Sequence, residues 1–142
     1  MVFQSTDERL EIKLLAYEFP DAPDADADWL ILQGRYTQSD GTVYKDSNSC
    51  LTTTELQECN AGLKILAAGI ATFYESDFQE PYFELTAQRQ AEDLFQVTVA
   101  FTMFHIAADW DTAELEFTAT TAQLKEWIAE LDEGQKRFPP RG

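Results

Sequence analysis

Phe95, Val97, Val99, Phe101 and Met103 alternate without a break with Gln96, Thr98, Ala100 and Thr102. This stretch limits the fold more than any other in the chain. A period of two residues puts the large apolar side chains on one face of a strand and the polar ones on the other. Such a strand is packed on one side and wet on the other, the pattern of an antiparallel sheet. A doubly wound parallel sheet would need strands buried on both faces. Leu10, Ile12, Leu14 and Ala16 alternate in the same way with Glu11, Lys13, Leu15 and Tyr17. Leu115, Phe117 and Ala119 repeat the pattern between Glu114, Glu116 and Thr118.

Other strands are marked by composition and by turns. Trp29 to Tyr36 reads as a strand in which Gly34 signals a bulge or a close backbone approach. Ser39-Asp-Gly41 is a turn, after which Thr42 to Lys45 pairs back as a hairpin. Thr72 to Glu75 is a short strand, and Pro81 introduces another in which Phe83, Leu85 and Ala87 share a face. Thr52-Thr-Thr-Glu55 and Thr120-Thr-Ala-Gln123 each fit a capping box, so a helix should start at each. Leu56, Leu63, Leu66 and Ile70 carry the first helix to about Ala68, where Gly69 can adopt a left-handed cap. Gly62 inside it costs about 1 kcal/mol relative to alanine and weakens its continuity. Leu124, Trp127, Ile128 and Leu131 form the stripe of a second helix that ends near Gly134, and Phe138 to Gly142 has no pattern of its own. The order is strands, helix, strands, helix. That order predicts an α+β fold, with one antiparallel sheet of about five to seven strands and both helices packed on one face.

The length, 142 residues and 16.1 kDa, is that of a single domain spanning 1–142. Ten Phe, five Tyr and three Trp can fill one core without disulfide or metal staples. Cys50 and Cys59, with His105 as the single imidazole, fit neither a disulfide framework nor a zinc spacing and read as small buried hydrophobes. The charge is less ordinary. Asp plus Glu number 26 against 10 Lys plus Arg, a formal net charge of −16 with a pI near 4.1. A field of that sign repels phosphate backbones and anionic lipid and speeds encounter with basic surfaces. Nucleic acid and membrane are therefore poor partners, and a basic protein is a good one. No stretch approaches the roughly 18 apolar residues of a bilayer span. The segment from Met1 to Arg9 lacks a basic region and apolar run of the secretory kind, so the cytosol is the expected compartment.

Signatures of chemistry are missing from the sequence: there is no G-x-G-x-x-G, P-loop, H-E-x-x-H or G-x-S-x-G. His105, beside Phe104 and Ile106, reads as a partly buried structural histidine, with an acid/base or pH-sensing role as the sharper alternative. Two carboxylates suffice for glycoside hydrolysis, so a carboxylate-based hydrolase stays as a rival class; it would need a pair meeting across a concave pocket. Asp24-Ala-Asp26-Ala-Asp28 imitates the first ligands of an EF-hand loop. Trp29 stands where that loop needs glycine and Arg35 where it needs a bidentate glutamate. A solvated acidic loop is the simpler reading, and a Ca²⁺-binding accessory domain the rival one. Neither a cofactor nor a metal site is assigned.

The remaining acids cluster as Glu75, Asp77 and Glu80; as Asp109 and Asp111 around Trp110; and as Glu126, Glu130 and Glu133 down the second helix. Like charges at helical spacing oppose helix formation by a few tenths of a kcal/mol. A solvated face accounts for such runs, and a docking surface for a cationic partner is the sharper reading. Trp110 between two aspartates is the candidate aromatic anchor, with packing of a loop against the core as the alternative. The candidate contact surface is thus Asp24, Asp26, Asp28, Asp109, Trp110 and Asp111.

Several strings, taken in order, carry a resemblance. They are Tyr17-Glu-Phe-Pro20, Asp26-Ala-Asp-Trp-Leu30, Cys50-Leu-Thr-Thr-Thr-Glu-Leu56, Glu80-Pro-Tyr-Phe-Glu-Leu85 and Phe138-Pro-Pro-Arg141. Together they resemble small bacterial proteins of the WapI immunity type over nearly the whole chain. The resemblance implies a cytosolic antidote that binds and blocks the toxic C-terminal domain of a contact-dependent toxin, often a nuclease. It brings no catalytic residue. A nuclease must hold phosphates in a basic cleft, so a small domain of net charge −16 suits the role of covering it.

Overall fold

The described residues, 1–22 and 28–141 of a computed structural model, form eight strands and two helices. β1 (Val2–Gln4), β2 (Arg9–Tyr17), β3 (Trp29–Thr37) and β4 (Val43–Thr52) make one sheet in that order. β5 (Phe73–Glu75), β6 (Phe83–Ala91), β7 (Leu94–Thr102) and β8 (Thr112–Ala119) make the other. Every neighbouring pair is antiparallel. α1 (Thr53–Ala67) follows β4, and α2 (Thr121–Arg137) follows β8.

The α+β class and the antiparallel pairing agree with the alternating patterns, whereas the expected single sheet of five to seven strands is two sheets of four. One-sided alternation says that a strand has a buried face without saying what covers it. Here each sheet covers part of the other, and the two helices cover the rest. The buried side chains of both sheets and both helices form one cluster. One strand carries no pattern in the sequence, and another is longer than expected. β1 is a three-residue edge strand with only Phe3 buried, too short to show a period. β4 runs on to Thr52, past the expected end at Lys45; Asp46 and Asn48 at its inward positions break the apolar alternation that would have marked it.

Gly34 lets the two sheets approach closely. A Cβ there would lie 2.5 Å from Phe101 Cδ1 on the facing strand. Of the two readings of Gly34, close approach is the one found; register shifts occur instead between Leu14 and Ala16, between Leu30 and Ile31, and between Arg89 and Ala91. Farther along, the ring of Phe3 meets Phe117 at 6.4 Å and Trp127 of α2 at 4.8 Å. Trp127 Nε1 donates to the carbonyl of Val2, 2.9 Å away, so the ring is buried with its polar atom satisfied.

Both helices begin as their sequences require. Thr52 and Thr120 each accept from the amide three residues on, and Glu55 and Gln123 return the bond to the cap amide. α1 ends at Ala67, and Gly69 takes the left-handed conformation at φ 79°. Gly62 does not interrupt α1, since it admits the ring of Tyr74, which a side chain there would overlap. Ile70 lies beyond the helix and is exposed. α2 continues three residues past Gly134 to Arg137. No helix among the described residues is long and apolar enough to cross a membrane.

Overpacking a filled core costs about 1–3 kcal/mol. Gly34→Ala is therefore expected to lower the urea midpoint by a corresponding amount, and Phe101→Leu in the same chain to recover part of the loss. Strictly additive losses in that cycle would show that the two sites are uncoupled.

Candidate acidic docking site

Three connections gather at one end of the sandwich: the β1–β2 turn (residues 5–8), the β3–β4 turn (residues 38–42) and the β7–β8 loop (residues 103–111). Pairing of Arg9 with Thr37 brings the first two together. Tyr36 and Tyr44 hold the third, for Trp110 meets their rings edge-on at 5.3 and 5.1 Å. The hydroxyl of Tyr36 donates to the Glu8 carboxylate. These connections carry Asp7, Glu8, Asp40, Asp109 and Asp111 and no lysine or arginine. Asp40 accepts from the Thr42 amide at 2.9 Å, and that backbone bond holds its carboxyl below the usual range. A surface hollow of about 390 Å³ lies among Ser5, Thr6, Asp7, Glu8, Ser39 and Glu116.

Through Glu116 the acidic end continues onto the outer face of the β5–β8 sheet, which presents Glu75, Glu84, Glu114 and Glu116 and no lysine or arginine. Arg89, the one cation on these strands, sits at an inward-facing position over the ring of Phe95 at 4.6 Å. The outer face of the β1–β4 sheet is the reverse: Arg9, Lys13, Arg35 and Lys45 surround Glu11. Acidic and basic side chains are therefore segregated between the two faces.

Of the residues singled out in the sequence, Asp109 and Asp111 are exposed, and Trp110 is half-buried between the tyrosines. Both sequence-based readings of Trp110 describe part of its position, since its ring packs on the core margin and still reaches solvent. Asp28 is not brought to them. It lies before the opposite end of β3, about 26 Å away at ~3.3 Å per residue, and its carboxylate accepts from the Arg141 amide at 2.6 Å. Asp24 and Asp26 lie outside the described residues, and with them most of the EF-hand-like string. Among the described residues no group of three His, Cys, Asp or Glu is placed to hold a metal ion.

Asp46 was not foreseen, and a polar residue inside an otherwise alternating strand was its only signal. Its buried carboxylate accepts from the His105 amide at 2.9 Å, from His105 Nδ1 at 2.8 Å and from the Ser47 amide at 2.9 Å. Burial alone would raise its pKa; the bonds from His105 and Ser47 outweigh burial and leave it lowered. The carboxylate thereby pins the start of the 103–111 loop to the β4 edge. His105 itself is 70% exposed, which corrects the expectation of a partly buried ring.

The described geometry offers an acidic end, a fixed aromatic and an acidic sheet face. A model of the immunity protein WapI-like family matches residues 1–139. The chain belongs to that family. No curated protein matches it. Membership accounts for the absence of a motif of chemistry from the sequence, since immunity proteins are generally non-catalytic. Cys50 and Cys59 are both buried and free, as expected. Burial pushes the Cys50 thiol up to about 12 and the Cys59 thiol up to about 11, so neither is a thiolate near neutral pH.

The Asp46 contacts carry a pH signature. An aspartate pKa below its unfolded value near 3.9 stabilises the fold fully above about pH 4, and the contribution is lost as pH falls through the folded value. Asp46→Asn is expected to cost about 1–3 kcal/mol near neutral pH, with the difference from wild type shrinking below about pH 4 in urea titrations. A deficit of constant size would show that Asp46 acts through shape and not through charge.

Proposed function

We propose that this immunity-family protein binds a basic, nuclease-type toxin domain in the cytosol and covers its phosphate-binding cleft, without catalysis of its own. The observation that carries the reading is the segregation of charge. Five carboxylate-bearing residues and Trp110 share one end, the acidic face of the β5–β8 sheet adjoins it, and lysine and arginine are missing from both. Exposed ion pairs are each worth only about 0–1 kcal/mol. The carboxylates would therefore act chiefly on encounter, steering a basic partner at rates approaching ~10⁸–10⁹ M⁻¹s⁻¹ at low salt. Affinity would come from Trp110, whose ring is already held by two tyrosines and loses little freedom on contact. Asp109, Trp110 and Asp111 are the proposed centre of the surface. Asp28 serves the C-terminal segment, and Asp24 and Asp26 lie outside the described residues.

Co-expression with a nuclease-type toxin domain, sought among the genes beside the one encoding this chain, provides the test. Charge reversal at Asp7, Asp109 and Asp111 is expected to slow association at least about tenfold at low salt, to flatten its salt dependence and to abolish protection. Trp110→Ala is expected to speed dissociation. Reversal at Glu58 and Glu126, exposed on the two helices, is the comparison and should leave protection intact. Full protection by the Asp7, Asp109 and Asp111 variant, with an unchanged melting temperature, would remove this surface from the reading.

A further inference from the structure

A groove of about 540 Å³ runs between β2 and α2. Met1, Ile12, Leu14, Leu15, Ala129 and Leu131 give it an apolar lining. Two successive leucines of one strand line the same groove, at the register shift between Leu14 and Ala16. A bulge re-aims side chains in this way and often stands beside a site. Gly134 lets α2 approach, since a Cβ there would fall on Leu14. Both walls are regular secondary structure, so the groove exists before anything enters it. Leu15 remains 40% exposed, and the groove's volume is in the range of about 300–1,000 Å³ typical of small-molecule sites.

The rim decides what it would take. Its two carboxylates are already matched: Glu130 lies 2.5 Å from the Met1 amino group, and Glu133 lies 3.2 Å from Lys136 Nζ. Its two cations, Lys13 and Arg137, have no carboxylate partner among the described residues. Lys13 also joins the groove to the basic outer face of the β1–β4 sheet. A rim with matched anions and unmatched cations favours an anion. The net charge of −16 works against a polyanion. A single anionic group is affected less, because charges beyond the Debye length of about 8 Å are screened at physiological salt. We infer that the groove binds a free anionic amphiphile, an unbranched aliphatic chain bearing one carboxylate. The chain would lie along Leu14, Leu15 and Ala129, with the carboxylate between Lys13 and Arg137. The inference is independent of toxin binding.

Calorimetric titration with decanoate, below its micelle concentration, is the test, with decyltrimethylammonium as the charge-reversed comparison. Decanoate is expected to saturate one site and to shift the amide resonances of residues 12–15 and 129–137, while the cation gives no saturable heat. The double variant Lys13→Glu, Arg137→Glu should weaken decanoate at least about tenfold. Ala129→Phe, placed at an exposed helix position, should block the groove without lowering the melting temperature. Absent saturation by decanoate, equal binding of both amphiphiles, or undiminished affinity in the double variant would overturn the assignment.

Discussion

The approach of β3 to β7 at Gly34 and Phe101 governs the rest of the architecture. Two sheets share one core only if their inner faces meet, and a side chain at position 34 would hold them apart. Once they meet, most inward positions of both sheets are filled by apolar side chains, and the core extends through Phe3 and Phe117 to Trp127 of α2. An interior of that kind has no room for 26 carboxylates. Burying one unpaired is far costlier than leaving it in water. Most of the acids therefore occupy outer faces, turns and the exposed sides of helices, while Asp46 and Glu55 are buried with hydrogen-bond partners. Where they gather among those places is set by the order of strands in each sheet.

Local rules were legible in the sequence because they act over a few residues. The capping boxes at Thr52 and Thr120, the left-handed Gly69 and the alternation of β2, β7 and β8 needed nothing from elsewhere in the chain. What covers each buried face could not be read, since a facing sheet and a packed helix demand the same alternation. β4 was obscured for a different reason. Asn48 Nδ2 donates to the Thr102 carbonyl at 2.7 Å, and Asp46 accepts from the His105 amide and Nδ1, so two polar residues are buried by bonds that exist only after the sheets come together. The candidate site divides in the same manner. Asp109, Trp110 and Asp111 are neighbours in sequence, whereas Asp7, Glu8 and Asp40 join them only through strand register and the Tyr36 contacts. Asp28, close to β3 in sequence, is carried to its other end.

The two helices meet across a seam that is partly polar. Asn60 Nδ2 donates to Asp132 at 2.7 Å and to Gln135 at 2.5 Å, and Lys64 lies 2.9 Å from Asp132. The Asn60 carbonyl oxygen is buried without a partner, a cost of about 1–3 kcal/mol. Apolar stripes alone would allow one helix to slide a turn along the other with modest loss. A buried amide with two partners on the facing helix makes any other register leave more than one polar atom unsatisfied. The seam thus trades stability for a single arrangement, and that arrangement places α2 against β2 where the groove forms.

Segregated charge is costly for a small protein. Like charges repel most at separations within the Debye length of about 8 Å, which neighbouring side chains on one turn cluster or sheet face share. Solubility alone would be served as well by acids and bases interspersed over the surface, with less repulsion in the folded state. Here Arg9, Lys13, Arg35 and Lys45 occupy one sheet face and Glu75, Glu84, Glu114 and Glu116 the other. Arg35 and Lys45 even stand directly opposite each other in the β3–β4 pair, an arrangement that opposes pairing. Across the thickness of the sandwich the two faces are screened from each other and do not offset these local costs. Each face can therefore attract its own kind of ligand independently, the acidic one a cationic surface and the basic one, with its adjoining groove, an anion.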